Sequence, residues 1–174
     1  MIDLLILTTI LIGLGLLVTL ATIDFKTFLL PNIYVFPFGL LGILFHWLYD
    51  FHLLTMTEII LGGALGYGIL WIIRWGGNKY YGQDSLGLGD VKLLAAAGLW
   101  LGVEGVMIAM TIGAMVGLLH GLIYAGIIAT RNKTKFSISR LMIPAGPGFI
   151  AGIIIAFIWL YRTDMTTLVY DMLL

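Results

Sequence analysis

The sequence predicts an all-α, polytopic membrane protein with six transmembrane helices. Three observations carry this expectation. The chain is 61% hydrophobic and only 10% charged, whereas soluble domains run about 45–50% apolar and about 25% charged. It contains several apolar runs long enough to cross a bilayer core of about 30 Å, which takes roughly 20 residues per helix. Its basic residues gather on one side once those runs are counted as crossings. At 174 residues with zero net charge and a mean hydropathy of +1.09, it reads as one membrane domain, residues 1–174. No global field argues for a nucleic-acid partner; the expected environment is the lipid bilayer.

Taken in order, Leu4 to Ile23 reads as helix one. Met1-Ile2-Asp3-Leu4 lacks a basic n-region, and no small-residue cleavage site follows before Asp24, so the run reads as a retained helix and not a signal peptide. Ile33 to Tyr49 is helix two, with Asn32 as candidate N-cap after Pro31. Ile59 to Trp75 is helix three, preceded by Thr55-Met56-Thr57-Glu58, a capping-box pattern. Val91 to Thr130 is too long for one crossing and is expected to divide near Gly102–Gly105. That gives a short helix four and a longer helix five. Helix six is expected from about Leu141 to Tyr161.

The positive charges test this parse. With six crossings, the segments after helices one, three and five share a side. They carry Lys26; Arg74, Lys79 and Lys92; and Arg131, Lys133, Lys135 and Arg140. Eight of the nine basic residues then lie together, leaving Arg162 opposite. The positive-inside rule makes that side cytoplasmic and puts both termini outside. Counting Val91–Thr130 as one crossing would export the Arg131–Arg140 cluster.

Cysteine is absent, which removes disulfides, thiolate nucleophiles and Cys-rich zinc sites. His46, His52 and His120 have no metal-ligand spacing, and neither H-E-x-x-H nor G-x-S-x-G occurs; no metal or cofactor is expected. Gly62-x-x-x-Gly66 and Gly113-x-x-x-Gly117-x-x-x-Gly121 are small-residue seams suited to close helix packing, with a homo-oligomer interface as the alternative use. Trp47, Tyr49, Trp71, Trp75, Trp159 and Tyr161 fall near expected helix ends and read as interfacial anchors.

Acids at helix ends are the informative minority. Asp24 follows about twenty apolar or small residues, and Asp90 precedes Val91, Leu93, Leu94 and Ala95–Ala97. A carboxylate inside a membrane helix is costly, by roughly 2.5–3.5 kcal/mol at the centre, so it tends to face protein or water. The charge-derived topology puts both at the cytoplasmic boundary, although 66 residues separate them. The bland alternative is two interfacial acids paired with Lys26 and Lys92. The chemical reading is a pair of carboxyls that share a proton, one acting as general base toward water while the other donates to a scissile carbonyl.

Asp90 sits in Leu86-Gly87-Leu88-Gly89-Asp90-Val91-Lys92, where the glycines permit unusual backbone angles or close approach of another segment. The longer stretch through Gly102 resembles the second active-site region of type IV prepilin peptidases, membrane aspartyl proteases of the GxGD class. Asp24-Phe25-Lys26-Thr27-Phe28-Leu29-Leu30-Pro31-Asn32 resembles the first region. Ile143-Pro144-Ala145-Gly146-Pro147 resembles the P-x-G-P segment before the last helix. The resemblance implies a GxGD-type bundle in a prokaryotic plasma (inner) membrane, with Asp24 and Asp90 as the catalytic pair facing the cytoplasm. It implies Lys26, Pro31, Asn32, Asp84, Gly87, Gly89, Lys92, Pro144, Gly146 and Pro147 as active-site motif or substrate-contacting candidates. The implied substrates are prepilin-like precursors of type IV, Flp-type or related filaments, which carry a short basic leader before an apolar helix.

Two departures matter. Many members carry an N-terminal Cys-x-x-Cys region associated with methylation, which this chain lacks, so peptidase activity alone is expected. Where many relatives have glutamate six residues before the second aspartate, this chain has Asp84, a candidate attraction for the basic leader. The rival functional class is a small ion-coupled transporter or channel component, which would require acids at midplane depth or a polar ladder across the bilayer. A presenilin-like relative is disfavoured because Pro144-Ala145-Gly146 stands where Pro-Ala-Leu would be. A non-catalytic assembly subunit is disfavoured by the intact acid pair.

Overall fold

The computed structural model describes residues 1–82, 84, 86–132 and 144–173. Its helices are α1 (Ile2–Thr27), α2 (Asn32–Leu48), α3 (Met56–Tyr81), α4 (Leu88–Asn132) and α5 (Gly146–Leu173). The architecture is all-α. α1, α3, α4 and α5 contain stretches long and apolar enough to cross a membrane, while α2 is a shorter apolar helix. Large apolar side chains such as Leu40, Ile72, Leu118 and Ile158 are 60% or more exposed, the pattern of a bundle whose outer surface meets lipid.

Several boundaries differ from the sequence expectation. α1 continues four residues past Ile23, so Asp24 and Lys26 lie within its last turn; Phe28, in the left-handed region at φ 56°, ends it and donates its N–H to the Asp24 carbonyl at 2.9 Å. Pro31, and not Asn32, occupies the N-cap of α2, with φ −66° and ψ 133°. Extended backbone before a helix suits proline, whose ring fixes φ near this value. α3 starts three residues earlier than expected and runs on to Tyr81, carrying Arg74 and Lys79 within it. The Thr55 capping box forms as the pattern predicts. Glu58 N–H donates to the Thr55 hydroxyl at 3.4 Å, and Thr55 N–H donates to Glu58 Oε2 at 2.8 Å.

The expected helices four and five appear as one 45-residue element, α4, that leaves helical geometry at Gly102 (φ 63°, ψ −165°), backbone that glycine adopts without Cβ strain. Contacts on either side of that residue show what it does. A methyl placed on Gly66 of α3 would collide with the Leu94 carbonyl and come within 3.1 Å of Val106. Residues 94 and 106 thus lie at one level, and the chain turns back on itself at Gly102. Past the turn, Gly148 and Gly152 of α5 pack against Gly117, Gly113 and Ala109. Gly62, Gly66 and Gly113 are thus packed against neighbouring helices of the same chain, whereas a Cβ on Gly117 would meet nothing within 4 Å. Gly146 starts α5, with Pro147 in its first turn where a missing N–H costs nothing; the expected start at 141–143 lies outside the described residues, as do Lys133, Lys135 and Arg140.

The first segment of α4 forms the centre of the bundle. Leu93, Leu94, Ala97 and Leu101 have no exposure, and Val91 has none either. The carbonyl of Trp100, two residues before the break at Gly102, draws two side chains. His46 Nε2 meets that oxygen at 3.0 Å and the Tyr161 hydroxyl donates to it at 2.7 Å, while Trp100 Nε1 donates to the Phe38 carbonyl at 2.7 Å. Tyr161 is only 3% exposed, so it is an interior residue and not the interfacial anchor its position near a helix end suggests. Trp47, Trp71, Trp75 and Trp159 remain outward-facing.

Candidate active site

Asp24 and Asp90, at the end of α1 and the start of α4, are two of the four buried polar side chains among the described residues, at 4% and 7% exposure. They occupy one end of the bundle and lie within electrostatic reach of one another. Neither forms an ion pair among the described residues, where Arg74–Asp84 is the salt bridge present. Lys92 instead donates to Asn32 Oδ1 at 3.2 Å, and Lys26 is exposed. The pairing of the acids with these lysines, the bland alternative, is not what the structure adopts.

Two glycines make room for the carboxyls, and a third lets the start of α4 approach Leu30. The N–H of Gly146, at the start of α5, donates to Asp24 Oδ2 at 3.1 Å, and a Cβ on Gly146 would lie 2.6 Å from that oxygen. A Cβ on Gly87 would lie 2.8 Å from Asp90 Oδ2, and one on Gly89 would lie 2.8 Å from Cβ of Leu30, a buried residue just before α2. Gly87 and Gly89 are not among the positive-φ glycines, Gly82 and Gly102. Clearance, and not an unusual backbone angle, is therefore what the G-x-G-D stretch supplies. Among the described residues, Asp90 Oδ1 is buried without a hydrogen-bond partner.

The remaining candidates fall into two groups. Pro31 and Asn32 begin α2, where Asn32 accepts from Lys92, and half-buried Pro144 and Pro147 flank Gly146. The exposed Asp84 carboxylate accepts from Arg74 Nη2 at 2.7 Å and Asn78 Nδ2 at 2.9 Å. Arg74 also donates to the Leu86 carbonyl. It thereby clasps the segment that enters α4, a role invisible to a reading that counted Arg74 for topology. Among the described residues no three His, Cys, Asp or Glu side chains gather as a metal site.

Two buried carboxyls at one end of a helix bundle are the groups that general acid–base hydrolysis of a peptide bond uses. Comparison with known proteins agrees with that chemistry. The sequence profile described as the type IV leader peptidase family matches residues 11–122. A prepilin leader peptidase/N-methyltransferase of Aeromonas hydrophila is 34% identical over 143 residues, covering 82% of this chain and 46% of that protein. The protein of the same description from Escherichia coli K12 is 36% identical over 105 residues, covering 60% and 46%. That of Klebsiella pneumoniae is 41% identical over 92 residues, covering 53% and 40%. The chain spans less than half the length of these relatives. No solved structure matches it. With the profile covering well over half of its residues, including both aspartates, the chain belongs to the type IV leader peptidase family.

Proposed function

We propose that this protein is a membrane aspartyl endopeptidase that removes the short basic leader of prepilin-like precursors, with Asp24 and Asp90 as its catalytic pair. The observation that carries the reading is the convergence of these two acids. They come from helices far apart in sequence, are buried at one end of the bundle, and each is given room by glycine. One carboxyl takes a proton from the attacking water and the other donates one to the carbonyl oxygen. The proposal covers cleavage alone.

The same reading has the chain cross a prokaryotic inner membrane six times, with α4 counted as two crossings about Gly102. The reversal of packing at that glycine supports it, as does the distribution of lysine and arginine. Both termini then lie outside, and the acid pair faces the cytoplasm, where a basic leader remains in water while its apolar helix stays in lipid. Relatives are described as prepilin leader peptidases, which supports this class of substrate.

The test is co-expression with a precursor that carries such a leader. Leader removal by the wild-type chain, and its loss in both Asp24→Asn and Asp90→Asn, is expected. Processing that persists in either variant sinks the assignment of the pair. Because the chain has no cysteine, single-cysteine variants report orientation directly. Lys79→Cys is expected to react with an impermeant thiol reagent only in inside-out vesicles, and His52→Cys only in right-side-out ones.

A further inference from the structure

α2 and α3 both pack on α4 but barely touch each other. Between them lies a groove of about 880 Å³ that opens to the outside of the bundle. Leu40 and Ile60 form its rims, and Ala96 and Leu99 of α4 form its floor. The lining is apolar with one exception. At the end nearest the acid pair stand Lys92, two residues after Asp90, and Tyr67 of α3. Their levels agree because Gly66 packs on Leu94 and Gly63 on Ala95 and Leu99.

Lys92 donates to the neutral Asn32 amide oxygen and has no carboxylate partner among the described residues. A cation at the end of an outward-opening apolar groove that Tyr67 also lines is complementary to a particular class of ligand. That ligand is an amphiphile with an anionic head and an apolar tail.

We propose that this groove binds an anionic phospholipid, its phosphate on Lys92 with Tyr67 and Asn32 beside it, and its acyl chains between α2 and α3. The choice of lipid over the precursor's own helix rests on the function just proposed. A precursor bound here would bring its basic leader against Lys92, a like-charge encounter, whereas a phosphate neutralises it. Basic sites between transmembrane helices on the cytoplasmic side suit anionic headgroups for the same electrostatic reason. The small floor and wall residues leave depth for methylene chains. Burial of those chains then adds to a charge-assisted contact that neither a neutral lipid nor a free phosphate reproduces in full.

Native mass spectrometry of the purified full chain, titrated with phosphatidylglycerol, phosphatidylcholine or inorganic phosphate, tests the proposal. Phosphatidylglycerol is expected to be retained about tenfold more tightly than phosphatidylcholine, with inorganic phosphate not retained. Lys92→Gln is expected to abolish the preference and Lys92→Arg to keep it. Ala64→Trp, at an exposed groove-lining position, is expected to reduce retention of both lipids. Equal retention of the two lipids by the wild type, or an unchanged preference in Lys92→Gln, overturns the site. Displacement of phosphatidylglycerol by a synthetic precursor helix, blocked by Ala64→Trp, would reassign the groove to substrate. Retention is read by mass and not by cleavage, so failure of the lipid site and failure of the peptidase reading are separate results.

Discussion

Replacing Gly146 by alanine probes the acid pair without touching either aspartate. The added Cβ would lie 2.6 Å from Asp24 Oδ2, 3.0 Å from its Cγ and 3.4 Å from its Cβ, where ordinary contact begins at 3.4 Å. Cγ is crowded as well as the oxygen, so rotating one oxygen aside does not relieve the overlap. The carboxyl has to move by about 0.8 Å, and the 3.1 Å bond from the Gly146 N–H lengthens with it. A displacement of about 1 Å in a catalytic constellation costs on the order of 100-fold in rate, equivalent to about 2.7 kcal/mol of transition-state stabilisation. Gly146 is not among the positive-φ residues, so alanine introduces no backbone strain there. The assay is the rate of leader removal from a co-expressed precursor, read beside thermal unfolding of the purified protein in detergent. Gly68→Ala is the control, since nothing lies within 4 Å of a Cβ there. Leader removal by a folded Gly146→Ala protein at a rate within about threefold of wild type would refute the reasoning, because a tenfold loss is already only about 1.4 kcal/mol.

Two further expectations concern the frame that holds the pair. Tyr161→Phe removes the buried hydroxyl that donates to the Trp100 carbonyl at 2.7 Å and is expected to lower stability by about 0.5–1.5 kcal/mol. Thermal unfolding in detergent checks it, and an unchanged midpoint would mean that His46 alone satisfies that oxygen. Gly66→Val would drive side-chain atoms into the Leu94 carbonyl, part of a backbone that cannot swing aside. A loss of at least about 1–3 kcal/mol is expected from the overpacking, seen as a reduced yield of folded protein beside an unaffected Gly68→Ala.

The membrane class, the helical runs and the two informative acids were legible in the sequence because they depend on local sums. Hydropathy over about 20 residues marks a helix, and the lysine and arginine count sorts the loops. An acid at the edge of an apolar run stands out wherever it occurs. The Thr55 capping box was legible for the same reason, since its two partners are three residues apart. Even the division of residues 91–130 could be placed, with the break at Gly102 inside the expected window, because one glycine-bounded step interrupts an overlong run.

Contacts across long sequence separations were decided by the tertiary structure alone. Gly146 and Asp24 are 122 residues apart, and no local pattern says that the N–H of one meets the carboxyl of the other. The G-x-G-D glycines read equally well as backbone hinges or as clearances until the neighbours of Gly87 and Gly89 were known. Asp84 showed no partner in the sequence until the fold placed Arg74 beside it, with Asn78 from the six residues by which α3 exceeds its expected end. Tyr161 looked like an interfacial anchor until the fold buried it with its hydroxyl on the Trp100 carbonyl. Hydropathy and charge are summed along the chain, so the sequence determined which segments enter the membrane and where the acids stand. Steric fit at 3 Å and hydrogen-bond satisfaction are properties of neighbours in space, so only the folded bundle decided what surrounds them.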